Sequence, residues 1–426
     1  QEEEEAPQEE PQEEEEEDEE ELEEEGDLLK EGEVRHMLLF FMCQLRWQCG
    51  MIVEPRRCDA TYRVYRTEAF DPRSFDDELK RSKLETEDLA ACAGMMLKFL
   101  SGPAKGDRWV PWHCAVCEQE LFLMEEVRSR NELSEEQRFA AGAAFSASRW
   151  VPLWREAILP NLLRNDVDVA KRPEEAFQRG SRVHRAMVSW RKQGHKLHTP
   201  SFNCYPPRGA SGDKFTDYIA QRHADFASLG VRAFALLSAA DNNKDDTTKE
   251  KAPPTMADLD RVFRAQPRVG PTMSKVFLVT THLWYPQLGI LDDACEVGDG
   301  ANSAFEFLFK KGKKTSCRKK KLQHLFDYLA ANVDRLEPRF NPMLAFVAEH
   351  TRKAFPCIPA ASLADNLTIY DLQVCLCEWR KFRKNVDHRR SILNHQQRRG
   401  LASKAEGNAE AAEAAPRPAA ENSLLK

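Results

Sequence analysis

No apolar stretch of this sequence is long enough to cross a bilayer. Met37 to Cys43 spans seven residues, where a membrane helix needs about twenty. A secretory signal is also missing, and the chain does not open on Met, so the natural N-terminus is expected to lie further upstream. A soluble protein of the nucleus or cytoplasm, with no membrane partner, is the expectation. No second C-x2-C pair follows Cys114-Ala115-Val116-Cys117, which leaves half a zinc site at most, and no metal is expected. The phosphate-cradling pattern G-x-x-x-x-G-K-[ST] is absent too: Lys311-Gly312-Lys313-Lys314-Thr315 keeps a Gly-Lys and a displaced Thr. Neither a repeated unit nor a run of strands is found, which argues against solenoid and β architectures.

The first 26 residues hold no lysine or arginine but 17 Glu and 1 Asp. Those 18 negative charges exceed the chain's net −8, so everything after Gly26 is net positive by 10. Such a run buries nothing apolar, and residues 1–31 are expected to form a disordered tail. It is either a solvated tail or an intramolecular competitor for a basic face. The twelve cysteines are scattered, and without an export signal they are expected to be reduced thiols. The remainder is long enough to bury a sizeable core.

Helical periodicity runs through that remainder. Val34 to Trp47 places Met37, Leu38, Phe41 and Leu45 on one face, and Leu84 to Leu100 does the same with Leu89, Cys92, Met96 and Phe99. A tryptophan-rich stretch follows from Trp109 through Trp112, Trp150 and Trp154, read as core in preference to platforms for an extruded base. Phe215 to Leu237 supplies one or two helices, and residues 238–254 read as an inserted polar loop ending in Pro253-Pro254. Lys310 to Lys321 is a basic run suited to phosphate contact or nuclear import, or simply a solvated loop. Leu322, Leu325, Phe326, Leu329, Val333 and Leu336 define another amphipathic face. The last strong helix lies within Asp365 to Lys384, capped by Thr368 with Asp371 and turning Ile369, Leu372, Leu376, Trp379 and Phe382 inward. Asp371, Glu378 and Lys381 share the neighbouring face. Residues 386–426 turn basic and then Ala- and Glu-rich, a second disordered tail. The fold expected is all-α: one large helical domain over residues 34–385.

Thr255 to Ala301 organises the rest. Thr255 and Asp258 form a capping box ahead of Leu259, Val262 and Phe263. Pro267-Arg268-Val269-Gly270 breaks that helix, and Pro271 suits the first position of a second one, with Val276, Phe277, Val279 and Leu283 as its apolar face. A helix, a Gly-containing hairpin and a helix result, and the start of the second helix can offer amides to a phosphate. An ordinary helical hairpin within the core is the alternative.

Three blocks occur in a set order: Val269-Gly270-Pro271, then Glu296-Val297-Gly298-Asp299-Gly300-Ala301, then Leu367 to Phe382 (LTIYDLQVCLCEWRKF). In that order they resemble the helical domain of the 5-hydroxymethyl-deoxyuridine DNA kinases and the related glutamyl/putrescinyl-thymine pyrophosphorylases, a family similar to helix-hairpin-helix DNA glycosylases. The resemblance covers roughly Arg35 to Lys384 and includes a degraded early block at Thr61 to Asp71, with Arg63 and Arg66 facing phosphate or solvent. It implies a DNA-binding protein linked to hypermodification of thymine or hydroxymethyl-uracil bases. Nucleic-acid contacts are expected from Arg268, Gly270, Thr272, Lys275, Gly298 and Gly300. Catalytic or cleft-lining roles are expected of Asp292, Asp293, Glu378 and Lys381, the adjacent aspartates repelling so that one pKa rises; a solvated Asp-Asp turn, and a buried Glu378–Lys381 ion pair that fixes the helix, are the alternatives. A nucleoside triphosphate with Mg enters only if the chain is itself a kinase, and without a phosphate loop a separate catalytic subunit is the alternative.

This sequence departs from the family at four places: Arg268 for the hairpin's first Gly, Thr280-Thr281-His282 for an Asp-Leu, Asp299 for Pro, and Phe382 for Tyr. His282 is either a substitute acid/base or a satisfied helix histidine. Two other roles compete with base modification: an inactive DNA-binding or scaffolding relative, and a helical protein-interaction domain.

Overall fold

The computed structural model describes residues 29–53, 87, 92, 112–164, 167–198, 213–242, 254–266, 269–292, 297–310 and 317–384. Across them the protein is all-α, and extended pairing is confined to a single bridge between Leu29 and Phe309. None of the described helices is long and apolar enough to cross a membrane.

Helix α1 (Glu31–Val53) is apolar around most of its circumference and is central for that reason. Met37, Leu38, Phe40, Phe41 and Leu45 are fully buried. Its buried amide Gln48 ties three segments together, donating to Thr351 Oγ1 at 2.8 Å, meeting His113 Nδ1 at 3.2 Å and accepting from the His113 backbone at 3.0 Å. Leu29 is buried and Lys30 N–H donates to the Leu308 carbonyl at 2.9 Å. Leu29 and Lys30 are therefore packed against the helical body, although they fall inside the tail expected over residues 1–31.

Helix α2 (Glu135–Ser146) starts on a complete capping box between Ser134 and Gln137 and carries the small residues Ala140, Ala141, Gly142, Ala143 and Ala144. Smallness admits neighbours closely: the Trp284 ring lies over Gly142, and Gly230 lies against Ala143 and Ala140. The helices before and after α2 contain π-helical turns, Leu123–Arg128 and Trp154–Ile158, and the Glu126–Arg155 ion pair, 2.5 Å, joins them. Trp112 and Trp154 are fully buried and belong to the core.

Helix α3 (Arg182–Lys192) is capped by Ser181. Helix α4 (Asp213–Asn242) is one continuous rod packed along α2. It runs on through Asn242, so the loop expected at residue 238 begins later. Next come α5 (Met256–Arg264) and α6 (Pro271–Trp284), then α7 (Asp299–Leu308), α8 (Arg318–Leu336), α9 (Phe340–Ala354) and α10, residues 369–384. The inward faces expected of α8 and α10 are buried, Phe326 in part. The Thr61–Asp71 block, residues 1–28 and residues 386–426 lie outside the described residues, as does most of Leu84–Leu100.

Candidate functional site

The α5–α6 pair is locked from both ends. Thr255 N–H donates to Asp258 Oδ2 at 3.0 Å and Asp258 N–H to Thr255 Oγ1 at 3.2 Å, completing the capping box. Phe263 and Phe277 meet edge to face with centroids 3.9 Å apart, and Ser274 donates to Asp260. Gly270, the residue before α6, is exposed and extended (φ −81°, ψ 176°). Pro271 has no N–H, and the Met273 and Ser274 amides already donate to the Gly270 carbonyl at 3.0 Å each. The turn thus offers an anion at most the amides of Gly270 and Thr272. Arg268, Asp293 and the Thr272 side chain lie outside the described residues.

A groove of about 480 Å³ opens along this pair, lined by Arg261, Arg264, Lys275 and Lys319 over a floor that includes Met256 and Leu278. Asp260 is its acidic member, held in an ion pair with Arg264 at 2.8 Å. Arg261 pairs in turn with Asp258 at 3.2 Å, so four cations stand against two carboxylates and the excess of positive charge attracts phosphate. Lys319 arrives from the start of α8, within the basic run.

Two turns further along α6, about 10 Å at the helical rise, a smaller cavity of about 60 Å³ is enclosed by α6, the turn before α7, the segment before α10 and the first turn of α10. His282, Ser362, Asp292, Asp371 and His113 line it among apolar neighbours. The 3-10 turn Pro286–Leu288 ends at Gly289 in the left-handed region (φ +61°), and the Gly289 carbonyl accepts from Asp292 N–H at 2.9 Å, which aims exposed Asp292 at the cavity mouth. Asp371 is buried and accepts from the Thr368 hydroxyl at 2.7 Å. Burial raises its carboxyl to about 7 in spite of that bond, and the Asp292 charge pushes the same way. Asp292 on the turn before α7 and Asp371 on α10 are thus neighbouring carboxyl groups. His282, 6% exposed, is pressed down to about 4 by burial although the Ser362 carbonyl accepts from its ring. Its Nδ1 has no hydrogen-bond partner, and neither does the buried Ser362 hydroxyl. His113, by contrast, is satisfied, meeting Gln48 on one side and the Ala364 carbonyl at 2.9 Å on the other.

The expected residues divide between neighbouring places. Lys275 belongs to the groove, and a side chain on Gly298 would meet Lys275 Nζ at 3.5 Å and Gln373 Nε2 at 3.9 Å. At Gly300 the space a Cβ would occupy is filled by Cys377 Sγ, so this glycine lets α7 pack on α10. Glu378 and Lys381 also leave the cavity. Lys381 Nζ donates to buried Glu378 Oε1 at 2.9 Å, a pair below the Asp371 turn that does not line the space with Asp292. Asp299 pairs with Arg318 at 2.8 Å. Cys114, Cys117 and Cys375 are pushed well above the ordinary thiol range by burial, and among the described residues no three His, Cys, Asp or Glu are arranged to hold a metal.

Ser362 gave no signal in the sequence, and Asp371 read only as a helix cap. Both matter here because distant segments close around His282. Comparison of the chain with protein-family models, with curated proteins and with solved structures gives no match. Its function is therefore argued from this geometry and from the three ordered blocks.

Proposed function

We propose that the chain is a DNA-binding helical protein related to base modification, gripping a phosphate backbone in the α5–α6 groove and receiving an extruded pyrimidine at the Asp292–Asp371 cavity. The observation that carries this reading is the groove on α5, α6 and α8, where Arg261, Arg264, Lys275 and Lys319 outnumber the carboxylates, set on the same helix as the cavity lined by Asp292 and Asp371. Contacts of this kind fix position on a duplex without reading sequence, and a base taken out of the stack then reaches groups that a paired base does not. The resemblance to the hydroxymethyl-uracil DNA kinase helical domain points the same way. With no phosphate-loop pattern in the sequence, phosphoryl transfer to a bound base is assigned to a separate catalytic unit.

The test is fluorescence anisotropy with a labelled duplex. Lys275→Glu combined with Lys319→Glu should weaken binding at least about tenfold, because two phosphate contacts become repulsive. Circular dichroism should stay unchanged, since both side chains edge an open groove. Wild-type affinity in the double variant contradicts the proposal.

A further inference from the structure

Hydrogen bonds fix the point at which the acidic stretch joins the helical body. Leu29 pairs with Phe309 across the antiparallel bridge, while Lys30 donates from its backbone to the Leu308 carbonyl at 2.9 Å and from Nζ to the Phe307 carbonyl at 3.1 Å. The Phe309 ring centroid is 6.1 Å from that of His324, in the first half of α8, and Tyr328 further along that helix donates to Glu31 at 3.1 Å. From Glu31 back to Leu29 the chain therefore heads towards the start of α8. His324 lies about 7.5 Å along the helix from Lys319, a cation on the groove wall. Arg318, Lys319 and Lys320 are exposed in that first turn.

Ahead of that anchor, Glu13 to Glu21 is an unbroken run of Glu and Asp, and Glu23 to Glu25 follow Leu22. The stretch from Leu29 back to Glu21 spans up to about 26 Å, over three times the step from His324 to Lys319, so chain length does not keep the run from the groove. A glutamate chain drawn out fully carries one charge per 3.3–3.6 Å or so, and one strand of a duplex carries one per about 3.4 Å; a row of cations meets a similar line of charge in both. We propose that residues 13–25 occupy the α5–α6 groove in the absence of DNA, so that a duplex has to displace them. The inference rests on the groove reading above, which supplies the rival ligand. Arg261, Arg264, Lys275 and Lys319 outnumber Asp258 and Asp260, and that excess is what an acidic occupant needs. Tethering holds the stretch at the groove at an effective concentration of about 1 mM. With an affinity of about 0.1 mM, that of the weakest nonspecific nucleic-acid contacts, it weakens duplex binding about tenfold.

The experiment compares the full chain with a full-length variant in which every Glu from Glu13 to Glu25 is changed to Gln, together with Asp18→Asn, so that length and tether are kept. On the wild type without DNA, a carbodiimide that couples carboxylates to touching amines should join residues 13–25 to Lys275 or Lys319 within one chain, as read by mass spectrometry of the monomeric product. Adding a duplex should suppress those products. Duplex affinity, measured by anisotropy at about 50 mM salt, should be at least about tenfold higher for the variant. Equal affinity for the two chains, both binding, overturns this inference and leaves the groove reading standing. A gain in affinity without those cross-links means long-range repulsion by a stretch that lies elsewhere, and overturns it too. So do cross-links that form only between two copies. The cross-links are read on the wild type, so they decide the matter if the variant fails to fold. No binding of duplex by either chain overturns the groove reading and this inference together.

Discussion

His113, His223 and His282 are buried, and that burial brings each to about 4. An unfolded chain returns them to an ordinary 6.5 or so. Their contribution to stability is therefore present above about pH 6.5 and lost as pH falls through 4. Asp371 has the opposite sign: raised to about 7, it contributes below its unfolded value and loses that contribution as pH rises through 7. Three protons outweigh one, so the urea midpoint should fall steadily from pH 6.5 to 4; a midpoint that stays flat or rises contradicts these assignments. Asp371→Asn keeps an acceptor for Thr368 and removes the buried charge. It should be more stable than the wild type above pH 7, by at most about 4 kcal/mol, with the difference vanishing near pH 4. A second buried charge behaves differently. Arg149 stands at φ +45° with its guanidinium on Glu120, both side chains under a tenth exposed. Glu120→Ala removes the carboxylate from that buried cation, and denaturant unfolding should show a loss of roughly 3–5 kcal/mol. A loss below about 1 kcal/mol would mean water reaches Arg149.

Among the elements, the α2–α4 contact depends on a missing side chain. A Cβ on Gly230 would stand 2.6 Å from the Ala143 Cβ and 3.0 Å from the Ala140 Cα, and neither atom can swing aside. Gly230→Ala gains about 1 kcal/mol of helix propensity but forces the rods apart, so a net loss of roughly 1–3 kcal/mol is expected in thermal melts. Gly300→Ala meets chiefly the Cys377 thiol, the end of a rotatable side chain, and should cost less. The reverse order would contradict this packing. Elements written in local sequence were legible: the Thr255–Asp258 capping box and the Thr368 cap on Asp371 are formed, and the faces of α5, α6, α8 and α10 turn inward. Close approaches were less so. Gly300 reads as a ligand-facing glycine until α10 is seen to occupy its space, and Gly230 gave no cue. The π-helical turns stayed hidden because a single inserted residue leaves the apolar pattern nearly intact.

At the scale of the molecule, the sequence located the helical pair, Lys275 and the basic run that holds Lys319, but neither Arg261 and Arg264 nor the cavity. His282 and Asp371 could be weighed only separately, because no periodicity links α6 to the chain around Ser362. The net positive charge after Gly26 becomes meaningful in the same way, once α8 brings Lys319 beside Lys275 and Arg261. These cations give the account its central claim, that the α5–α6 groove holds a phosphate backbone, and salt tests that claim most directly. Duplex affinity should be measured for the wild-type chain across a series of monovalent salt concentrations. The account predicts log affinity falling linearly with log salt at a slope of about −2 to −4, the release expected when two to four cations neutralise phosphates. A slope near zero, or no measurable binding at low salt, would contradict it.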